Sequence, residues 1–241
     1  MAYRTDPDLE FLASIPSRDL DDLVRHLTHD KDGSARLTEE LTYSESYKMY
    51  YPDHRRYWRE IAAEIQCFGA NSFATLFRGG KGVLYKEVLT DVCEKMNVSF
   101  NSNASVVRIE QALLFKVLED ALEQMSPQEL RSIAEEFNFN PSNLTPQAMM
   151  AAAQTVFIQG GFASYQLSVV VANAVSKALL GKGLTFAANS TLTKGLSILT
   201  GPVGWAITGA WTAIDLAGAA YRVTIPAVFM IATLRQSYLN G

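Results

Sequence analysis

Acidic side chains between residues 28 and 39 have part of the spacing of a calcium-binding loop. Asp30, Asp32 and Glu39 occupy positions 3, 5 and 12 of the EF-hand pattern, which surrounds calcium with oxygen ligands. Position 1, normally a ligating aspartate, is Thr28. Because that charged ligand is missing, we interpret the segment as a turn between two short helices and keep Asp30, Asp32 and Glu39 as candidate ligands of a metal site that we do not expect to form.

Two histidines at the start of this segment suggest a transition-metal site. His26 and His29 share one face of a predicted helix, and Asp30 follows them. A zinc site needs further ligands, which would have to come from elsewhere in the chain. We therefore predict no metal and no cofactor, and we interpret both as surface histidines near a helix C-terminus, where the dipole favours their protonated form.

A glycine-rich segment, F-R-G-G-K-G, contains Arg78 and Lys81 and looks like a phosphate-binding loop. A P-loop has a glycine five residues before its last glycine and Ser or Thr after its lysine. Those two positions are Thr75 and Gly82 in this sequence. We predict a flexible turn between helices, whose two cations could contact a phosphate headgroup.

The sequence contains few residues with the types and spacing that catalysis requires. All three histidines lie before residue 55, and we find no nucleophile elbow, no Cys–His signature and no dinucleotide fingerprint. We therefore predict a non-enzymatic protein, and an enzyme of unrecognised chemistry stays as an alternative.

A cluster of basic residues stands at the start of a predicted helix. His54, Arg55, Arg56 and Arg59 lie where the helix dipole disfavours cations, so they require acidic partners. Ion pairs within a solvated helix, for example between Arg56 and Glu60, are one interpretation. A docking patch for an acidic partner or for lipid headgroups is the other.

The composition restricts the class of protein. The 241 residues carry 21 basic and 25 acidic side chains, and this net charge of −4 argues against nucleic-acid binding. A hydrophobic share of 48% excludes global disorder. Two separate cysteines without metal-ligand spacing indicate reduced thiols, and the polar N-terminus does not resemble a signal peptide, so we expect a cytoplasmic protein.

Charge is distributed unevenly along the chain. The first 146 residues hold 24 of the 25 acids and 16 of the 21 bases, and residues 137–176 hold no charged side chain. Ten of the 15 glycines also fall after residue 146. We predict a small N-terminal helical domain over residues 1–45, a charged helical region over 46–145 and an apolar Gly/Ala-rich helical region over 146–241.

Apolar residues recur at helical spacing through the charged part. Leu20, Leu23, Val24 and Leu27 form one such stripe, and a longer stripe extends from residue 105 to residue 125. Ser126-Pro127-Gln128-Glu129 is a capping box, and Thr145-Pro146 begins the apolar region. No alternating strand pattern is found. The predicted class is therefore all-α, a multi-helix bundle.

The segment 203–221 is the most apolar part of the chain, but it contains Asp215. An acid there needs a cation if it is buried, and Arg222 lies two helical turns further along. Small residues recur every four positions and would let helices approach closely, either in a membrane or in a soluble bundle core. The residues predicted to act in membrane or core packing are Gly209, Ala213, Asp215, Ala217 and Arg222.

Three blocks of sequence resemble the YaaW-like family of bacterial proteins, whose function is uncharacterised. They are D-L-E-F-L with L-T-H-D-K-D-G, H-R-R-Y-W-R-E-I-A-A-E-I-Q-C-F-G, and A-Y-R-V-T-I-P-A-V. The resemblance spans nearly the whole chain and implies a small N-terminal domain. It also implies a remote relation to ubiquinol-cytochrome c chaperones, which assist assembly of a respiratory membrane complex, and it supplies no catalytic residues.

These observations together favour a binding protein. We expect it to associate with the cytoplasmic membrane, at its inner face, or with apolar partner helices through its C-terminal half. Membrane activity and homo-oligomer formation are two further, separate hypotheses. The alternative is a soluble assembly factor or chaperone. Membrane lipid or an apolar protein is the predicted partner, and nucleic acid is not.

Overall fold

The described part of the chain is built of helices. The computed structural model describes residues 2–69, 82–139, 141, 143–185 and 220–240. Over these residues there are three short 3₁₀ helices, Glu10–Ser14, Leu41–Tyr43 and His54–Tyr57. The α-helices of the same residues are α1 Ser17–Thr28, α2 Glu45–Tyr50, α3 Trp58–Gly69, α4 Tyr85–Lys95, α5 Val106–Glu123, α6 Pro127–Glu136, α7 Pro146–Gln159, α8 Gly161–Leu180 and α9 Tyr221–Asn240. The predicted all-α class is confirmed.

Local sequence signals set the helix ends where they were expected. The Ser126 hydroxyl accepts a hydrogen bond from the backbone N–H of Glu129, while the Glu129 carboxylate accepts one from the N–H of Ser126. The Thr145 hydroxyl caps α7 in the same way. At the C-terminal end of α8, Gly181 has a φ of 69°, a left-handed conformation that favours glycine and ends the helix.

The C-terminal helix α9 lies at the centre of the described bundle. Its side chains from Val223 to Gln236 are all buried. It packs most extensively on α8 and also contacts α1, α3, α4, α5 and the first 3₁₀ helix. A helix that is apolar all round is stable when neighbours cover every face. The apolar helices α8 and α9 therefore form the core of the bundle, and the charged N-terminal helices pack around them.

None of the helices in the described ranges combines the length and the hydropathy that a membrane span requires. The predicted boundaries at residues 45 and 145 stay predictions, although the break before α7 falls close to the second of them.

Candidate functional site

A buried ion pair links α9 to the charged half of the protein. The Arg235 guanidinium donates through Nε to the Glu110 carboxylate, 2.8 Å away, and through Nη2 to the carbonyl of Asp8 at 2.7 Å. The Tyr85 hydroxyl donates to the other oxygen of Glu110 at 2.8 Å. The Phe11 ring covers the guanidinium at 4.3 Å. Four elements thus meet at a fully bonded polar cluster in the core.

The electrostatics of this cluster favour a fixed structure. Burial raises the pKa of Glu110, and the Arg235 guanidinium and the Tyr85 hydroxyl act in the opposite direction. Burial also disfavours the charged form of Arg235, but the nearby Glu110 carboxylate outweighs it, and the pKa of Arg235 is raised. Both side chains are almost inaccessible to solvent, so we interpret the cluster as structural. Sequence reasoning missed it, although an acid on the buried stripe of α5 and a base among apolar neighbours were signals that could have identified it.

One member of the predicted basic cluster, His54, lies in the core. His54 is buried, its Nε2 donates to the Asp21 carboxylate at 3.1 Å, and its Nδ1 is hydrogen-bonded to the Tyr57 hydroxyl. His54 therefore fixes the 3₁₀ helix that precedes α3 to α1 and is not available as a surface ligand.

The three arginines of that cluster are exposed and point to different neighbours. Arg55 donates from Nε to the carbonyl of Ala13 at 3.3 Å. The Arg56 guanidinium lies 4.5 Å from the centre of the Tyr50 ring, and that of Arg59 lies 4.9 Å from the Trp58 ring. The described contacts are thus to backbone and aromatic rings. Docking by these arginines stays a prediction.

The calcium-loop pattern folds as a hydrogen-bonded turn. One oxygen of the Asp30 carboxylate accepts the backbone N–H groups of Asp32 and Ser34, at 3.0 and 2.9 Å. The Glu39 carboxylate is buried and accepts the N–H and the hydroxyl of Thr42. The carboxylates of Asp30 and Glu39 thus accept hydrogen bonds within their own turns. No cluster of three potential metal ligands occurs in the part of the chain that the structure describes.

We predict that Glu39→Ala lowers the free energy of unfolding by about 2 kcal/mol. The substitution removes the charged carboxylate that accepts two hydrogen bonds from Thr42 in the Leu41–Tyr43 helix. Urea denaturation with and without millimolar calcium measures both effects. Calcium should leave the parent protein and the variant unchanged. A calcium-dependent stabilisation of the parent that Glu39→Ala abolishes would show that Glu39 is a ligand.

The two N-terminal histidines do not converge. His26 is buried, and its Nε2 donates to the carbonyl of Val223 in α9 at 2.9 Å. His29 is half-buried, with Nδ1 hydrogen-bonded to the Thr28 hydroxyl at 2.8 Å. Burial, the largest effect, lowers the pKa of His26 to about 4. His26 is thus a neutral core residue that joins α1 to α9, so the predicted surface position is wrong for His26.

Several predicted site residues lie outside the described ranges. They are Arg78, Lys81, Gly209, Ala213, Asp215 and Ala217. The Asp215–Arg222 pairing stays a prediction for the same reason. Arg222 itself is described and lies exposed in the first turn of α9.

The charge-free part of the sequence forms an exposed helix surface, which we call the uncharged face. Ile158 and Phe162 are 75% and 65% exposed, at the junction of α7 and α8. The centres of the Phe162 and Tyr165 rings lie 6.3 Å apart, and the Tyr165 hydroxyl is hydrogen-bonded to Ser237 near the end of α9. Lys116 and Glu119 of α5 line a cleft between α5 and α7 and provide a charged rim to this surface. The exposed residues that define the uncharged face are Gln147, Ala151, Gln154, Thr155, Ile158 and Phe162.

Two family models match the chain. Residues 3–37 match a domain of unknown function, DUF3944. Residues 53–229 match the family described as ubiquinol-cytochrome C chaperone. The second match covers most of the chain and includes α3 to α8 and the first half of α9.

Individual relatives cover nearly the full length. The chain is 52% identical over 236 residues to a UPF0174 protein of Helicobacter pylori strain J99, covering 98% of this chain and 93% of that protein. It is 32% identical over 239 residues to the UPF0174 protein YaaW of Escherichia coli K12, covering 97% and 95%. No solved structure matches the chain.

Proposed function

Because the chain belongs to the UPF0174 family of YaaW-like proteins and matches the ubiquinol-cytochrome C chaperone family, we propose that it is a non-enzymatic assembly factor. It binds an apolar helix of a membrane protein through the uncharged face and acts at the inner surface of the cytoplasmic membrane. The exposed Ile158 and Phe162, on a surface built from residues without charge, carry this proposal.

Physical chemistry supports a protein partner for this face. Exposed apolar side chains that lie together on a face with a polar rim are typical of interaction surfaces. The small residues between them, such as Ala151, leave the α7 backbone accessible to a second helix. Apolar grooves and faces bind amphipathic or apolar helices by contacts at positions i, i+4 and i+7. Ala151, Thr155 and Ile158 have this spacing.

The name of the matching family supports the same class of partner. A chaperone of a ubiquinol–cytochrome c component would handle subunits with apolar helices before they are assembled. The charged helices α1 to α6 would keep such a complex in solution. For this chain the chaperone role and the partner are both part of the proposal.

Two carboxylates in the uncharged face should abolish partner binding. Burial of Ile158 and Phe162 contributes about 1.5–3 kcal/mol each, so Ile158→Glu with Phe162→Glu should weaken binding by more than about a hundredfold. A photo-crosslinking residue at Thr155 reports contact in cells, read as adducts in the membrane fraction. We expect a protein adduct that this double variant removes.

Leu37→Glu is the matched control, because Leu37 is a fully exposed apolar side chain in the turn after α1. It should leave the adduct unchanged. Vesicles of bacterial lipid without protein distinguish the lipid alternative. Binding to such vesicles that depends on Ile158 and Phe162, together with no protein adduct, would replace the helix partner by the lipid surface. The absence of both signals would refute the role of this face.

A further inference from the structure

A cleft separate from the uncharged face lies between α1 and the end of α8. One wall is the last turn of α1 and the loop after it, with Arg25 and Lys31. The other wall is the Gly181-Lys182-Gly183 turn. Its floor is apolar and is formed by Leu180, Leu184 and Met230.

The acids of this cleft are already occupied. The Asp22 carboxylate accepts the backbone N–H of Thr185 at 2.6 Å and its hydroxyl at 2.8 Å. Asp30 accepts two backbone N–H groups of its own turn. The three cations Arg25, Lys31 and Lys182 take part in none of the ion pairs found among the described residues. The cleft is therefore lined by three cations and by two carboxylates that keep their charge, because their described hydrogen bonds come from uncharged groups, and this leaves an excess of one positive charge.

The turn that carries Lys182 is held rigidly by buried polar groups of α8. The Ser176 hydroxyl donates to the carbonyl of Lys182 at 2.9 Å, and the Asn173 side chain accepts the N–H of Leu184 at 2.9 Å. A Cβ atom at Gly183 would lie 2.7 Å from the Asn173 oxygen, so this position requires glycine. The protein thus uses two buried polar side chains and a glycine to fix an exposed lysine at the rim of the cleft.

We propose that this cleft binds a phosphate-bearing ligand, either a soluble phosphate monoester or the headgroup of a phospholipid. Arg25, Lys31 and Lys182 neutralise the phosphate oxygens. Lysine and arginine are the usual cations for phosphate. The cleft volume of about 60 Å³ is room for a few water molecules and therefore for one phosphate group.

Binding is tested with inorganic phosphate, glycerol 3-phosphate and vesicles containing phosphatidic acid, at constant ionic strength. Calorimetry measures the soluble probes, and co-sedimentation measures the vesicles. We expect saturable binding that Lys31→Ala and Lys182→Ala each weaken by about tenfold or more, since each removes a charge-assisted contact. Binding of the soluble probes but not of the vesicles would identify a soluble monoester as the ligand. Binding of the vesicles would identify the phospholipid headgroup.

Lys177→Ala is the control, because Lys177 is an exposed lysine of α8, close in sequence to Lys182, that does not line the cleft. It should leave binding unchanged. No saturable binding to any of the three probes would overturn the proposal, as would an equal effect of Lys177→Ala. Ile158→Glu with Phe162→Glu should not alter phosphate binding, so failure of this site and failure of the proposed partner surface are distinguishable.

Discussion

Arg235→Met should lower the free energy of unfolding by about 3–5 kcal/mol. The substitution keeps an apolar side chain in the core but leaves the buried Glu110 carboxylate without its cation. It also removes the donor to the carbonyl of Asp8. Urea denaturation followed by circular dichroism at pH 7 measures the loss.

A double-mutant cycle assigns this loss to the ion pair. Glu110→Gln combined with Arg235→Met removes both charges but keeps an acceptor for the Tyr85 hydroxyl, so it should recover much of the stability. The surface pair Lys116–Asp120 on the same helix is the control, and Lys116→Met should cost less than about 1 kcal/mol. If Arg235→Met costs no more than this control, Glu110 and Arg235 do not hold α9 in place.

Features encoded by neighbouring residues could be predicted from the sequence. The α5 stripe, the Ser126 capping box and the start of α7 at Thr145-Pro146 each depend on residues within one or two turns. Such signals are local because capping and amphipathic spacing act between residues i and i+4. The all-α class followed from them.

Contacts between distant residues could not be predicted in the same way. Glu110 and Arg235 are 125 positions apart, and His26 and Val223 are 197 apart. No local pattern specifies which helix faces another, because each apolar stripe fits several partners. His54 shows the same difficulty: its neighbours in sequence suggested a basic surface patch, whereas its contact with Asp21 of α1 directs it into the core.

The candidate binding surface was only partly predictable. The absence of charge from residue 137 to residue 176 is visible in the sequence and indicated an apolar helical region. Which of its residues reach solvent depends on how α7 packs on α5 and α8. The structure exposes Ile158 and buries Phe157 beside it, against Phe115.

Acid should destabilise the protein through His26. Burial lowers its pKa to about 4 in the folded protein, whereas an unfolded histidine has a pKa of about 6.5. Above pH 6.5 both states are neutral and the residue causes no pH dependence. Between pH 6.5 and pH 4 only the unfolded state binds the proton, so folding stability falls as the pH falls, by about 3 kcal/mol in total.

His26→Gln isolates this effect, because glutamine can still donate to the carbonyl of Val223 but does not titrate. From pH 7 to pH 5 the parent should lose about 2 kcal/mol more of its folding stability than the variant.

Glu64, whose pKa burial raises to about 7, contributes in the opposite direction, since the folded state then binds the proton first. That contribution is common to both proteins and cancels in the difference. Parallel curves for the parent and His26→Gln would mean that His26 takes up its proton without leaving the core, and that its contact with α9 tolerates a charge.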